Sequence, residues 1–178
     1  MAALVIRPAA SADIPAITRI YAHAVAHGTA SFELEPPDEA EMSRRMQTLN
    51  DGGFPYIVAE ADGALAGYAY AGAYRPRRAY RFSVEDSIYV DPSAQRQGVG
   101  RALLLRLIEE ASARGFRQMI AVIGDSAHQA PSIGLHHALG FRTIGTLDGV
   151  GFKFDRWLDT VLMQRPLQEN GAAHAPRA

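Results

Sequence analysis

Two glycines one residue apart, Gly98 and Gly100, follow a polar loop (Asp91-Pro92-Ser93-Ala94-Gln95-Arg96-Gln97) and open a long amphipathic run. A β-rich stretch, Ser87-Ile88-Tyr89-Val90, stops where that loop starts. Glycine has no side chain to keep a ligand off the backbone. The first-turn amides of a helix lack internal partners and point outward. Together with the helix dipole they form an anion site suited to a pyrophosphate. The pattern therefore implies a phosphate-bearing cofactor, and three cradles compete for it. A P-loop needs Gly-x-x-x-x-Gly-Lys-Ser/Thr, and the sequence has no such run. A dinucleotide fold needs Gly-x-Gly-x-x-Gly tight against its strand. Here Leu103 stands at the third glycine and seven residues separate Val90 from Gly98, although Asp125 lies near the distance of a ribose-binding acid. The third pattern is Gln/Arg-x-x-Gly-x-Gly/Ala, met by Gln95, Gly98 and Gly100.

The elements that must position this loop can be read from periodicity and breakers. Ala3 to Arg7 reads as a strand, followed by a helix that Ser11 can cap, with Asp13 in its first turn and Ile14, Ile17, Ile20, Tyr21, Ala24 and Val25 at helical spacing. Pro36-Pro37-Asp38 starts a second helix running to about Leu49. Tyr56 to Glu60 and Leu65 to Ala73 are strands joined at Asp62-Gly63, a hairpin signal. Ser83 to Val90 is a central strand, and the helix from about Gly98 to Arg114 stops at Gly115. Gln118 to Ile123 is a strand, Ser132 to Leu139 a short helix, and Arg142 to Leu147 with Leu158 to Arg165 a closing antiparallel pair. This order is not the strict alternation of a doubly wound sheet; it implies an α/β, or α+β, mixed sheet with helices on both faces. The expected organisation is a single domain over residues 1–167 and an unstructured tail over 168–178.

Composition excludes several classes. Cysteine is absent, which removes disulfides, thiolate catalysis and cysteine-ligated zinc. The formal net charge is −1 with basic residues dispersed, so no footprint for nucleic acid appears. The segment Met1 to Arg7 is short and soon charged, unlike a signal peptide, and no apolar run approaches membrane length. A cytoplasmic protein without a membrane partner is expected. No metal is expected either, since the adjacent His136 and His137 lack the i, i+4 spacing of zinc-binding histidines.

The Gln95-x-x-Gly98-x-Gly100 loop resembles the acetyl-CoA pyrophosphate loop of the GNAT superfamily of N-acetyltransferases, and the element order resembles the GNAT fold. A narrower resemblance covers Ile6 to Leu167. Val84-Glu85-x-Ser87-x-Tyr89-Val90, Ser132-Ile133-Gly134-Leu135-His136-His137-Ala138-Leu139-Gly140-Phe141, Gly151 to Asp159 and Thr29-Ala30-Ser31-Phe32-Glu33 look like the phosphinothricin and methionine-sulfoximine N-acetyltransferase family. The resemblance implies the acyl-CoA N-acyltransferase fold: a mostly antiparallel mixed sheet whose central parallel strands splay to admit the pantetheine arm. It implies acetyl-CoA as co-substrate, with Gln95, Arg96, Gln97, Gly98, Val99, Gly100 and Arg101 on the pyrophosphate. Ile88, Tyr89 and Val90 would lie along the pantetheine, with Gln129 and Ser132 beside it. It also implies a homodimer.

Acetyl transfer to an amine needs a neutral nitrogen, and a free amine is mostly protonated at neutral pH. A general base is therefore required, and Glu85 is the first candidate. Asp86 faces the other side of the strand and reads as a structural acid. GNAT enzymes often carry a Tyr seven residues after an Asn on the short helix; here His136 and Gln129 occupy those places. His136 is then the candidate acid for the CoA thiolate, or a second base, and Gln129 is one methylene longer than the usual residue. An amide near Val90 would serve the oxyanion. Phe32, Arg75 and Lys153 are candidate substrate residues, with the guanidinium suited to a carboxylate. The implied reaction is direct acetylation of the α-amino group of a small amino-acid analogue. The alternatives are a GNAT enzyme for a peptide, protein amine or polyamine, and a non-catalytic acyl-CoA-binding module.

Overall fold

The computed structural model describes residues 4–168. The tail expected from residue 168 falls, but for that residue, outside them. The chain runs β1 (Val5–Pro8), α1 (Ile14–His27), α2 (Glu39–Asp51), β2 (Tyr56–Ala61), β3 (Ala64–Ala73), β4 (Ser83–Val90), α3 (Val99–Ala113), β5 (Gln118–Gly124), α4 (Ala130–Ala138), β6 (Arg142–Lys153) and β7 (Arg156–Pro166). The strands form one sheet in the order β1-β2-β3-β4-β5-β7-β6. Each neighbouring pair is antiparallel except β4 with β5.

Helices cover both faces because the strand residues alternate. On one face Leu103, Leu104, Leu107 and Ala111 of α3 pack on Val84, Met119, Ala121 and Met163. On the other, Ile17, Ile20 and Val25 of α1 and Met42 and Met46 of α2 pack on Tyr56, Val58 and Tyr68. Burying such side chains stabilises the fold by roughly 1.5–3 kcal/mol each before ordering costs are counted. Asp38 caps α2 by accepting from the Glu41 amide at 2.7 Å. Asp62 and Gly63 take φ of 51° and 76°, which closes the β2–β3 hairpin as Asp-Gly predicts.

Two local expectations need correction. Ser11 does not cap α1: it opens a 3₁₀ turn (Ser11–Asp13), and the Asp13 carboxylate accepts from the Ala10 amide at 2.8 Å. Asp13 also takes two bonds from Arg7, at 2.7 and 2.8 Å, which tie β1 to α1. The closing hairpin is longer than its periodicity suggests, reaching Lys153 and Arg156. Register shifts at Thr143/Gly145 and Leu147/Gly151 break the alternation of β6, and its two-residue turn is made by Phe154 and Asp155 at φ 52° and 57° without a glycine.

Candidate active site

β4 and β5 are paired only from Ser83↔Gln118 to Glu85↔Ile120. Beyond that point β4 stays with β3 as far as Val90↔Gly67, while β5 stays with β7 as far as Gly124↔Thr160. The two strands therefore part, and among the described residues the β4 edge from Asp86 to Val90 has no partner strand on the β5 side. A peptide-like chain could add there by main-chain hydrogen bonding.

Two cavities fill the parting. A cleft of about 610 Å³ is lined by Ile88, Tyr89, Val90, Gln95, Arg96, Gly98, Val99, Gly100, Arg101, Gln129 and Ser132, together with α1 residues such as His23 and His27. Of the expected cofactor residues it lacks Gln97, whose side chain turns back to donate to the Ser93 carbonyl at 3.0 Å. Gly98 takes φ +85°, a region L side chains rarely adopt, so conformation demands glycine there. A Cβ at Gly98 would meet no protein atom within 4 Å, so the space before the first turn of α3 is open. This open turn of outward amides is what a pyrophosphate requires.

A pocket of about 260 Å³ lies deeper, lined by Phe32, Glu85, Asp86, Ser87, Gln129, Ser132, His136, Gly124 and Thr160 among others. It shares Ala30, Ile88, Tyr89, Gln129 and Ser132 with the cleft, so the two spaces abut. Glu85 and Asp86 alternate across β4, yet both reach this pocket because the parting opens to both faces of the sheet. Burial, then the neighbouring Asp86, push the Glu85 carboxyl above its ordinary range, against the lowering field of Arg75. Such a carboxylate suits a general base near neutrality.

His136 is 3% exposed. Its Nδ1 lies 2.7 Å from the Ser132 carbonyl oxygen and its Nε2 2.9 Å from Asp86 Oδ2. Burial alone would lower its pKa, but the hydrogen bond and charge of Asp86, helped by Ser132, raise it above the ordinary value. His137 points elsewhere, to the Phe141 carbonyl at 3.1 Å and Thr143 Oγ1 at 3.2 Å, as a quarter-turn around α4 dictates.

The candidate substrate residues are placed unequally. Phe32 lines the pocket, its ring set between the backbones of Gly124 and Gly151. Lys153 does not line it: the buried Nζ donates to the Ser31 carbonyl at 2.8 Å and so holds the Phe32 loop from behind. Burial lowers its pKa, with Glu33 acting the other way. Arg75 sits outside the lining, its guanidinium 5.2 Å from the Tyr74 ring centroid. Asp125, the candidate ribose acid of the dinucleotide alternative, is committed elsewhere. It accepts from Thr29 Oγ1 at 2.8 Å and from Arg156, and it contacts His128 Nδ1 at 3.1 Å. It is a buried hub joining the Phe32 loop, the turn before α4 and β7.

These features recur in known proteins. A model of the acetyltransferase (GNAT) family matches residues 17–141. The chain belongs to this GNAT acetyltransferase family. It is 61% identical over 155 residues, 87% of this chain and 78% of the other, to a phosphinothricin N-acetyltransferase of Alcaligenes faecalis. It is 41% identical over 172 residues, 97% of this chain and 99% of the other, to an L-methionine sulfoximine/L-methionine sulfone acetyltransferase of Salmonella typhimurium. Among solved structures, a GNAT superfamily phosphinothricin acetyltransferase of Sinorhizobium meliloti in complex with AcCoA superposes with a TM-score of 0.93 at 52% identity, covering 98% of this chain and 93% of that one. The mixed sheet with its single parallel pair is thus the fold the resemblance implied. Sequence reasoning did not find the partner of Asp86 in this acetyltransferase. Alternation alone placed Asp86 on the far face and gave no sign of His136, which lies 50 residues away in the chain.

Proposed function

We propose that this acetyltransferase transfers the acetyl group of acetyl-CoA directly to the α-amino group of a small amino-acid analogue, of the phosphinothricin or methionine sulfoximine and sulfone type. The observation that carries this reading is the meeting of Glu85 and His136 in one pocket, from opposite faces of β4, where the cofactor cleft ends. Acetyl-CoA supplies the acyl group. The opened first turn of α3, with Gln95, Arg96, Gly98 and Gly100, takes its pyrophosphate, and the unpaired edge of β4 takes its pantetheine arm. Gln97 stands outside the cleft, with its side chain on the Ser93 carbonyl. Glu85 removes a proton from the acceptor ammonium, releasing the lone pair that attacks the acetyl carbon. The carbon–sulfur bond breaks, the nitrogen gives its second proton to Glu85, which has passed the first to solvent, and His136 provides the proton that the sulfur takes up. Phe32 walls the acceptor, and Arg75, outside the lining but near enough for its charge to act on Glu85, is the guanidinium proposed for its carboxylate.

The pocket of about 260 Å³ suits a small acceptor rather than a peptide. Residues 1–167 act as one domain in this reading, and the compartment is the cytoplasm, where acetyl-CoA is supplied. Phe152, Phe154 and Trp157, each more than half exposed on the β6–β7 hairpin, support the expected homodimer, which light scattering of the purified protein would test. The deciding experiment measures CoA-thiol release with phosphinothricin, methionine sulfoximine, methionine sulfone, common amino acids, a polyamine, an aminoglycoside and a basic peptide. Selective turnover of the first three supports the proposal. Turnover of only the peptide or polyamine overturns the substrate class, and acetyl-CoA binding with no turnover favours a non-catalytic module.

A further inference from the structure

We propose that Asp86 is a positioning residue for the reaction. It locks the His136 ring against the Ser132 carbonyl and keeps that ring an imidazolium until the thiolate departs. The inference rests on the acetyl-transfer reading above and goes beyond it by giving Asp86 a role in the proton path.

The geometry supplies the argument. The Ser132 carbonyl can only accept, so the Nδ1 atom 2.7 Å away carries a proton in every state of the ring that keeps this bond. Nε2 then faces Asp86 Oδ2 at 2.9 Å, and an ionised carboxylate there also only accepts. With the carboxylate ionised, both nitrogens are donors and the ring is cationic. Side-chain exposures of 4% for His136 and 3% for Asp86 remove the pair from bulk water, and in that buried setting a lone charge would be costly. The Phe141 ring, edge-on at 4.9 Å between centroids, closes another side. Asp86 Oδ1 is buried and has no hydrogen-bond partner among the described residues, so within them this carboxylate directs its hydrogen bonding at the imidazole.

The other charged or titratable groups near the ring are engaged or face away. Glu85 precedes Asp86 on β4 and projects to the opposite face. His137 on α4 bonds to the Phe141 carbonyl and Thr143, and Arg165 of β7 donates to the Leu139 carbonyl. From β5 and β7 the pocket receives Ala121, Ile123 and Thr160, none of which titrates near neutrality. The proton balance follows. The acceptor ammonium first gives one proton to Glu85, which releases it to solvent; the nitrogen–carbon bond then forms as the carbon–sulfur bond breaks, and the second nitrogen proton passes to Glu85. One ring proton passes to sulfur, leaving a neutral imidazole beside Asp86. Solvent then takes the proton from Glu85 and restores the one on His136.

The test is Asp86→Asn, read by NMR titration of the His136 ring in the ligand-free protein and by the pH profile of kcat. His136→Gln assigns the ring signal among the six histidines. Loss of the carboxylate should move the ring titration, and with it the alkaline limb of kcat, to lower pH by about one unit. At the optimum kcat should fall by about 10²-fold, with both KM values changed less than about twofold. Asp86→Glu, which keeps the charge, guards against a variant that fails to fold. Its ring should titrate close to wild type, while the longer arm lowers kcat. An unmoved titration and alkaline limb in a folded, less active Asp86→Asn enzyme would overturn the proposal, since a merely structural acid predicts that result. A ring that titrates at its ordinary value in Asp86→Glu would overturn it as well. The ring titration needs no acceptor. Its shift in a protein that acetylates nothing would sustain the pairing and reject the acetyl-transfer reading.

Discussion

Replacing Gly151 by alanine would put a Cβ 2.6 Å from Phe32 Cδ2 and 3.1 Å from its Cζ, well inside van der Waals contact. The ring has no room to slide away. On its other side a Cβ at Gly124 would lie 2.8 Å from the same Cζ and 3.1 Å from the Thr29 carbonyl oxygen. The loop behind it is fixed by Lys153 on the Ser31 carbonyl and by Thr29 on Asp125. Gly145, in the same strand, is the internal control, because a Cβ there meets nothing within 4 Å. Gly145→Ala should be neutral or stabilise by up to about 1 kcal/mol through the unfolded chain. Gly151→Ala gains the same entropy term but is overpacked, at about 1–3 kcal/mol. For a chain of this size each kcal/mol is roughly 2–4 °C in Tm, so calorimetry should place Gly151→Ala several degrees below Gly145→Ala. Phe32 lines the deeper pocket and not the cofactor cleft. The acceptor KM should therefore rise while that of acetyl-CoA holds. Adding Phe32→Ala to Gly151→Ala should cancel the steric part, giving a coupling energy above about 0.5 kcal/mol in a double-mutant cycle. Equal Tm values for the two alanine variants, or additive effects with Phe32→Ala, would refute the slot.

Glu85→Gln should lower kcat by about 10²–10⁴-fold with acetyl-CoA affinity, read by calorimetry, unchanged. A variant retaining most activity would remove Glu85 as base. In the wild type, the acid limb of activity should lie above the ordinary carboxylate range, because the base is active only above its raised pKa. The alkaline limb should lie above the ordinary histidine value, because the acid is lost as pH rises through its raised pKa. Asp13 and Asp125 are held low, chiefly by hydrogen bonds from Arg7 and Arg156. Their stabilisation is complete above the unfolded carboxylate value and is lost as pH falls through the folded one, so chemical denaturation should show stability dropping from about pH 4 downward. Asp125→Asn should blunt that drop. Gly134 is exposed inside α4 with an open Cβ site, and Gly134→Ala should stabilise by about 0.5–1 kcal/mol.

What the sequence made legible was local. The proposed cofactor loop is a run of neighbouring residues, and Glu85 and His136, the proposed reacting side chains, sit at fixed distances from strand and helix landmarks. The supports of those side chains are long-range and leave no periodic trace. Asp86 meets His136 across 50 residues, Thr29 meets Asp125 across 96, and Lys153 meets Ser31 across 122. Lys153 misled for a physical reason: a cation beside a pocket motif suggests an anionic ligand, but its stem threads behind the loop and its charge ends on a carbonyl. The closing hairpin misled because register shifts erase the period on which strand reading depends.

The register of β4 is what gives this site two chemical sides. Successive side chains point to opposite faces, so Glu85, the proposed base, and Asp86, the partner of the His136 imidazole, are neighbours in sequence yet meet different surroundings. A slip of one residue would exchange Glu85 and Asp86 and leave the base against α4. The strand resists that slip at three levels. It pairs with β3 over its whole length, Gly67↔Val90 to Ala73↔Val84. Val84 is fully buried under α3, and Tyr89 is packed on the other face against Tyr21 and Tyr68. A Cβ at Gly67 would lie 2.8 Å from the Tyr89 carbonyl oxygen, so close backbone approach fixes the same alignment. The pairing with β5, by contrast, stops at Glu85. One edge of the strand is thus held rigidly while the other is left open for ligand. That asymmetry lets the strand hold Glu85 and Asp86 at a fixed spacing while its other edge stays open.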